Sequence, residues 1–213
     1  MIIDGDSNAE TLSYLKELKF PFQFFSKKDK GIYDAMNKGV ALSKGEWLYF
    51  LGSGDKLYDN AVLKSVFSKS ISKKFSLIAG SVIYEGNTKP FIYSKKKFIK
   101  NPSWSFLIWL RNGLHHQGTF YRKELFLKNN YNLDYKILSD YWFNIMLFKK
   151  NKKCYITKST ISKCNSDGVS KTGSWENYKE EINLKVNHSS FLLYPLFYSL
   201  SILKNGLRKI INE

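Results

Sequence analysis

Two polar segments interrupt apolar runs early in the chain, and each sets a carboxylate beside glycine. Asp4-Gly5-Asp6-Ser7 follows Met1 to Ile3, and Gly52-Ser53-Gly54-Asp55 follows the run Trp47 to Leu51. A glycine-rich loop after a buried strand lets backbone approach a ligand closely, while its acidic side chain offers one hard oxygen ligand. An ordinary polar turn is the alternative for either segment. Between them, Asp34 and Asn37 lie one helical turn apart, so both can face one cleft. Lys30, just ahead, could neutralise phosphate there, although a solvated surface lysine is the commoner fate of a single Lys. Later in the chain come His116 and Gln117, then Asp140 at the start of a predicted helix. A buried, hydrogen-bonded histidine and a carboxylate favoured by the helix macrodipole are the plain alternatives for His116 and Asp140.

The elements that must position these residues alternate between two periods. Met1 to Ile3 reads as the end of a strand, and residues 8 to 19 as a helix carrying Leu12, Leu15 and Leu18. A second apolar run spans Phe22 to Phe25. From Gly31, the residues Ile32, Ala35, Met36 and Val40 repeat at three and four, which predicts an amphipathic helix. The continuous run Trp47 to Leu51 suits a strand buried on both faces of a parallel sheet. Strand, helix, strand, helix, strand means α/β, with ligands expected beyond the carboxyl ends of the strands. Further on, Leu77 to Tyr84 and Gly118 to Tyr121 read as strands, and 138 to 149 as a helix with Tyr141, Ile145 and Phe148 on one side. Ser174 to Asn187 reads as a polar helix, and Phe191 to Leu203 as a strongly apolar one.

Composition excludes several classes. At 213 residues, with 43% hydrophobic and 16% aromatic residues, the chain has enough apolar material for one sizeable core and too much for disorder. The formal charge of +16, from 34 basic and 18 acidic residues, admits a nucleic-acid binder, a protein at an anionic membrane surface, or plain compositional bias. The basic residues are spread in short clusters such as Lys27-Lys28 and Lys149-Lys150. No recognition helix or arginine-rich arm stands out, so no nucleic-acid partner is expected. Cys154 and Cys164 lack metal-ligand spacing and suit reduced thiols in a cytoplasmic protein. The first residues do not form a signal peptide, and no run reaches the length of a membrane-spanning helix.

Several segments, in this order, resemble the bacterial family 2 glycosyltransferases with a GT-A fold, of the capsule and exopolysaccharide type. Asp4 to Thr11 resembles the D-G-G-S-T-D-G-T loop. Asp29-Lys30-Gly31-Ile32-Tyr33-Asp34-Ala35-Met36-Asn37-Lys38-Gly39 is similar to a segment shared by many such transferases and is the most specific match. Gly45 to Asp55 resembles the strand and metal-binding loop written G-D-W-I-x-F-L-N-S-G-D. His115 to Lys123 resembles H-Q-x-x-F-Y-R-K, Ile137 to Tyr141 an (A/S)-D-Y segment, and Gly168-Val169-Ser170 a later loop. The matches cover residues 1 to about 170.

The resemblance implies an α/β, GT-A-like fold with a mostly parallel sheet flanked by helices. Residues 1–188 would form the transferase domain and 189–213 an amphipathic helical appendage. Activity would be transfer of a sugar from a UDP- or GDP-type donor to a lipid-linked glycan in cell-surface polysaccharide assembly, with inversion. Asp140 would be the general base, and Asp55 would hold Mg²⁺ or Mn²⁺ against the donor phosphates. Asp4, Lys30, Asp34, Asn37 and Ser53 would lie on the donor side, His116 and Gln117 on the acceptor side. Read from its own residues, the last helix could pack on the domain or, with Lys204, Arg208 and Lys209 beside it, lie on an anionic inner leaflet. The second reading is preferred and would make the cytoplasmic protein peripheral. In that fold a first strand and helix precede the loop matched by Asp4, so an N-terminally incomplete domain is expected, with a non-catalytic remnant as the rival. Ala9 in place of the loop's second aspartate, and Gly52 in place of asparagine, are further departures.

Overall fold

The computed structural model describes residues 1–68, 71–86, 98–166 and 174–212. The chain opens with strand β1 (Ile2–Asp4), helix α1 (Ala9–Glu17) and strand β2 (Phe24–Ser26). Asn8 starts α1 because its Oδ1 accepts the Thr11 N–H at 3.0 Å, satisfying a donor that has no partner inside the helix. β1 and β2 pair in parallel, Ile2 opposite Phe24 and Asp4 opposite Ser26, as a two-stranded sheet. Helix α2 (Ile32–Leu42) crosses β1 at Gly39, where a Cβ would come within 3.2 Å of the Ile3 side chain.

Strand β3 (Trp47–Tyr49), strand β4 (Lys56–Leu57), helix α3 (Val62–Phe67) and the long strand β5 (Phe75–Glu85) follow. Then come β6 (Ile99–Lys100), β7 (Thr119–Arg122), helix α4 (Ser139–Lys149), β8 (Lys153–Asn165), and helices α5 (Trp175–His188) and α6 (Tyr194–Asn212). Six strands make the main sheet in the order β3-β7-β5-β8-β4, with β6 also on β5.

This sheet corrects the mostly parallel arrangement expected from the sequence. β5 and β8 run parallel, as do β1 and β2, but β3–β7, β5–β7, β5–β6 and β4–β8 are antiparallel. Trp47 to Phe50 is apolar because both faces of β3 are covered, not because its neighbour runs parallel. Leu48 and Phe50 join the main core with Tyr121 and Phe126, while Trp47 and Tyr49 join a second cluster with Phe120, Val62 and Val66. Two-sided burial produces the same unbroken apolar run whatever the direction of the neighbour.

α4 shows the same effect on a helix. Phe143, Met146 and Leu147 pack into the main core, and Tyr141 and Ile145 pack against Ile108, Tyr135 and Leu184 on the other side. A helix covered all round belongs in the interior, so the direction of Asp140 in its first turn is set by packing. α2 differs from expectation by one residue. Tyr33 is buried and Ile32 is 57% exposed, because the Tyr33 hydroxyl finds partners inside, described below.

The C-terminal helix continues past the apolar stretch to Asn212, and α6 packs on α5 through Phe197 and Ser201. Among the described residues, no helix is long and apolar enough to cross a membrane. Cys154 and Cys164 are not joined in a disulfide. The loop Gly168-Val169-Ser170 lies outside the described residues.

Candidate functional site

One short turn brings the two chemically loaded carboxylates together. His116–Gly118 is a single 3₁₀ turn leading into β7, closed by the Gly118 N–H on the His115 carbonyl at 2.8 Å. His116 Nδ1 lies 3.5 Å from Asp140 Oδ2, and the Gln117 amide donates to Asp55 Oδ2. Consecutive residues thus each hold one carboxylate. Gly118 lets this turn press on the sheet, since a Cβ there would sit 2.7 Å from Val82 Cγ1 and 2.9 Å from the Gly80 carbonyl oxygen. Gly118→Ala is expected to destabilise the fold by about 1–3 kcal/mol through overpacking. Thermal unfolding checks this, and an unchanged melting temperature would show that the turn has slack.

Asp55 ends the turn that follows β3. Its own N–H closes that turn on the Gly52 carbonyl at 3.1 Å, and Gly54 holds a φ of +81°, in the left-handed region that favours glycine. Oδ1 accepts the Asn165 N–H at 2.9 Å. A Cβ on Gly52 would stand 2.7 Å from Asp55 Oδ2 and 3.3 Å from Gln117 Nε2, so a larger residue there would require those two side chains to shift. Gln117 Oε1 is buried without a hydrogen-bond partner, an uncommon condition that points to a group the fold alone does not supply. Ser53 is exposed beside Asp55.

Asp140 is buried and multiply held. Oδ1 lies 3.0 Å from the Tyr33 hydroxyl, which is also 2.6 Å from the Ile137 carbonyl oxygen. Oδ2 accepts from Asn112 Nδ2 at 3.1 Å. Asn112 Oδ1 accepts from Asn144 at 3.2 Å, whose own oxygen accepts from the Tyr121 hydroxyl at 3.1 Å. Glu180 on α5 accepts the N–H groups of Ile137 and Leu138 at 2.8 and 2.7 Å, steadying the start of α4. Burial pushes the Asp140 carboxyl up, but His116, Tyr33 and the charge of Lys100 together outweigh it and hold the group below its ordinary value.

The donor-side candidates separate into two kinds. Asp4 is 7% exposed and organises its own loop, accepting from Ser7 N at 3.2 Å, Asp6 N at 3.3 Å and Ser26 Oγ at 2.7 Å. The Ser7 and Ser26 hydroxyls hold its carboxyl down to about 2. Asn37 is turned inward: Nδ2 donates to the Tyr131 carbonyl and Oδ1 accepts the Tyr131 N–H, both at 2.9 Å. Its amide therefore clamps backbone rather than facing the cleft shared with Asp34. Asp34 accepts the Lys30 N–H at 3.0 Å and pairs with Lys38 at 3.1 Å, which lowers its pKa. Lys30, Gly31, Tyr33, Asp34, Tyr135 and Lys136 line a cleft of about 240 Å³ at the start of α2. Tyr33 joins that cleft to Asp140.

Among the described residues, no cluster of three or more His, Cys, Asp or Glu side chains could enclose a cation. Asp55 with its amide neighbour suits instead a site where one carboxylate and the phosphates of a ligand share the ion, the usual habit of Mg²⁺. The unpartnered Gln117 Oε1 beside it fits such an ion as well.

Tyr33, Asn112 and Glu180 were not singled out by sequence. Tyr33 reads as one more apolar position on a helix, and Asn112 as a loop residue beside glycine. Nothing local signals that either reaches Asp140.

Comparison with known proteins identifies the family. The model of glycosyl transferase family 2 matches residues 1–154. A PGL/p-HBAD biosynthesis glycosyltransferase of Mycobacterium bovis (strain BCG / Pasteur 1173P2) is 35% identical over 154 residues, covering 70% of this chain and 57% of that protein. A second glycosyltransferase, from Mycobacterium tuberculosis (strain ATCC 25618 / H37Rv), is 29% identical over 151 residues, covering 67% of this chain and 54% of its own length. The chain thus spans about half the length of the curated relatives it matches. In fold it is similar to S. aureus TarS 1-349, with a TM-score of 0.58 at 15% identity, over 97% of this chain and 61% of that one. The same TarS fragment in complex with UDP-GlcNAc superimposes with a TM-score of 0.54 at 12% identity, over 87% and 56%. With motif order, α/β architecture and the family match in agreement, this chain belongs to glycosyl transferase family 2.

Proposed function

We propose that the chain carries the donor and base machinery of an inverting glycosyltransferase that moves a sugar from a nucleotide diphosphate onto a lipid-linked glycan. The observation that supports this most is the His116–Gln117 turn, which sets one carboxylate, Asp140, beside another, Asp55. Sugar transfer with inversion needs two charges managed at once. A proton must leave the acceptor hydroxyl, and negative charge must be absorbed on the departing diphosphate.

Asp140 serves as the base. At neutral pH it is ionised, since its carboxyl is held below the ordinary range. Tyr33 has one hydroxyl proton and two acceptors within reach, Asp140 Oδ1 and the Ile137 carbonyl oxygen. Once Asp140 takes the acceptor proton, the Tyr33 proton can turn to Ile137 and the Tyr33 oxygen can accept from the new carboxyl O–H. Asn112 and His116 keep Oδ2 in place meanwhile. Asp55, oriented by Gln117 and the Asn165 N–H, would hold Mg²⁺ or Mn²⁺ with the donor phosphates. That ion supplies positive charge against the leaving group. Lys30 at the α2 cleft would add charge on the phosphate side, and Asp4 would shape the loop that seats the base of the nucleotide.

A UDP-type donor is favoured by the fold shared with TarS, which has been solved with UDP-GlcNAc. Calorimetric titration of the purified chain with UDP and then GDP, each with Mn²⁺, tests the reading. Micromolar or submillimolar binding of UDP, in the range usual for enzyme substrates, is expected. A folded chain that binds neither nucleotide would leave family membership intact and remove the donor site.

A further inference from the structure

We infer that the outward face of α6, with the turn that leads into it, docks on an anionic lipid surface. The inference goes beyond the transfer chemistry and stands on different residues. α6 is fixed on one side only. Phe197 and Ser201 are buried against α5, Trp175 meets Tyr198 edge-on, and Glu181 accepts from both Lys185 and Lys204. With that side anchored, the opposite face points to solvent, and it is apolar. Leu196, Leu203, Leu207 and Ile210 form one stripe at helical spacing. Leu203 is 59% and Ile210 71% exposed, and Leu192 in the preceding turn is 86% exposed. Ser199, Ile202 and Gly206 complete that face without a charge.

Charge and aromatic content select the occupant. From Phe191 to Asn212 the chain has Lys204, Arg208 and Lys209 and no acidic residue. Lys209 is exposed at the border of the stripe. Phe191, Tyr194 and Tyr198 stack along the first turns, 6.0 and 5.9 Å between successive rings, as side chains of the headgroup boundary do. An apolar stripe bordered by Lys209 and preceded by stacked aromatics matches a helix lying in the interface plane of anionic lipid. A second protein copy would bring its own net charge of +16 against this one, which opposes self-association through the same basic border.

The anchored side of α6 touches a segment that leads to the site. Lys204 donates to the Leu110 carbonyl at 2.6 Å, so α6 lies beside the turn Phe106–Trp109, where Phe106 is 75% and Leu107 51% exposed. Two residues after Leu110, Asn112 touches Asp140. The segment that α6 holds thus runs directly into the Asn112–Asp140 contact.

Flotation of the purified chain with unilamellar vesicles tests this. Vesicles of phosphatidylcholine with phosphatidylglycerol should carry the protein up, those of phosphatidylcholine alone should not, and high salt should release it. Leu203→Asp with Ile210→Asp should lower the bound fraction at least about tenfold. Lys209→Gln, which leaves the apolar stripe whole, should lower affinity about fivefold. Equal flotation of the wild type and both variants would overturn the inference, as would no flotation at all. So would a concentration-dependent dimer that Leu203→Asp with Ile210→Asp dissolves while lipid binding stays absent, since the face would then meet a second copy.

Discussion

Asp140→Asn is expected to lower turnover by about 10²–10⁴-fold, the range for losing a general base, while UDP binding stays within a factor of about two or three. Asn keeps the size of Asp and an oxygen for Tyr33 or Asn112, so the fold around α4 is retained. What it loses is a site for the acceptor proton. A purely structural Asp140 predicts something else. A carboxylate in the first turn of a helix contributes about 0.3–1 kcal/mol through the macrodipole, and its loss would appear as a lower melting temperature with turnover unchanged. Turnover with a UDP-sugar, measured beside the melting temperature, separates the two. The pH profile adds a sign. The carboxyl is lowered from its ordinary value of 3.8, because its hydrogen bonds outweigh burial. Its contribution to stability is therefore complete above that value and lost as pH falls through the lowered one. Turnover should likewise hold through neutral pH on the acid side, with the base still ionised down into the ordinary carboxylate range.

Asp55→Ala should abolish the Mn²⁺-dependent part of UDP binding, on the order of 100-fold or more, because one carboxylate and the phosphates must share the cation. Gln117→Ala should give a weaker version, about 10–100-fold, the usual cost of losing a partner that orients a metal ligand. Calorimetry with and without Mn²⁺ reads both. If Asp55 is a solvated turn residue, removing it would leave UDP affinity unchanged with either buffer. The buried, unpartnered Gln117 Oε1 beside Asp55 argues against that simple role, because a plain turn leaves no such group.

The sequence by itself determined the family, the α/β class and the segments that carry the chemistry, because these are local properties. Glycine next to aspartate after an apolar run is legible in four residues, and the helical repeat of α2 in about ten. The positions of Asp55 and Asp140 on their elements followed from the same local signals. Strand direction did not. Trp47 to Phe50 records that both faces are covered, but backbone hydrogen bonding to a neighbour leaves no mark on side-chain type, so the antiparallel pairing with β7 was hidden. Side-chain partners were hidden for the same reason. Tyr33 meets Asp140 across 107 positions, Gln117 meets Asp55 across 62, and Asn37 clamps Tyr131 across 94. Local sequence restricts which face of an element is apolar. Only the packed tertiary structure decides which polar group satisfies a buried donor or acceptor, because that choice depends on every element brought to the same place.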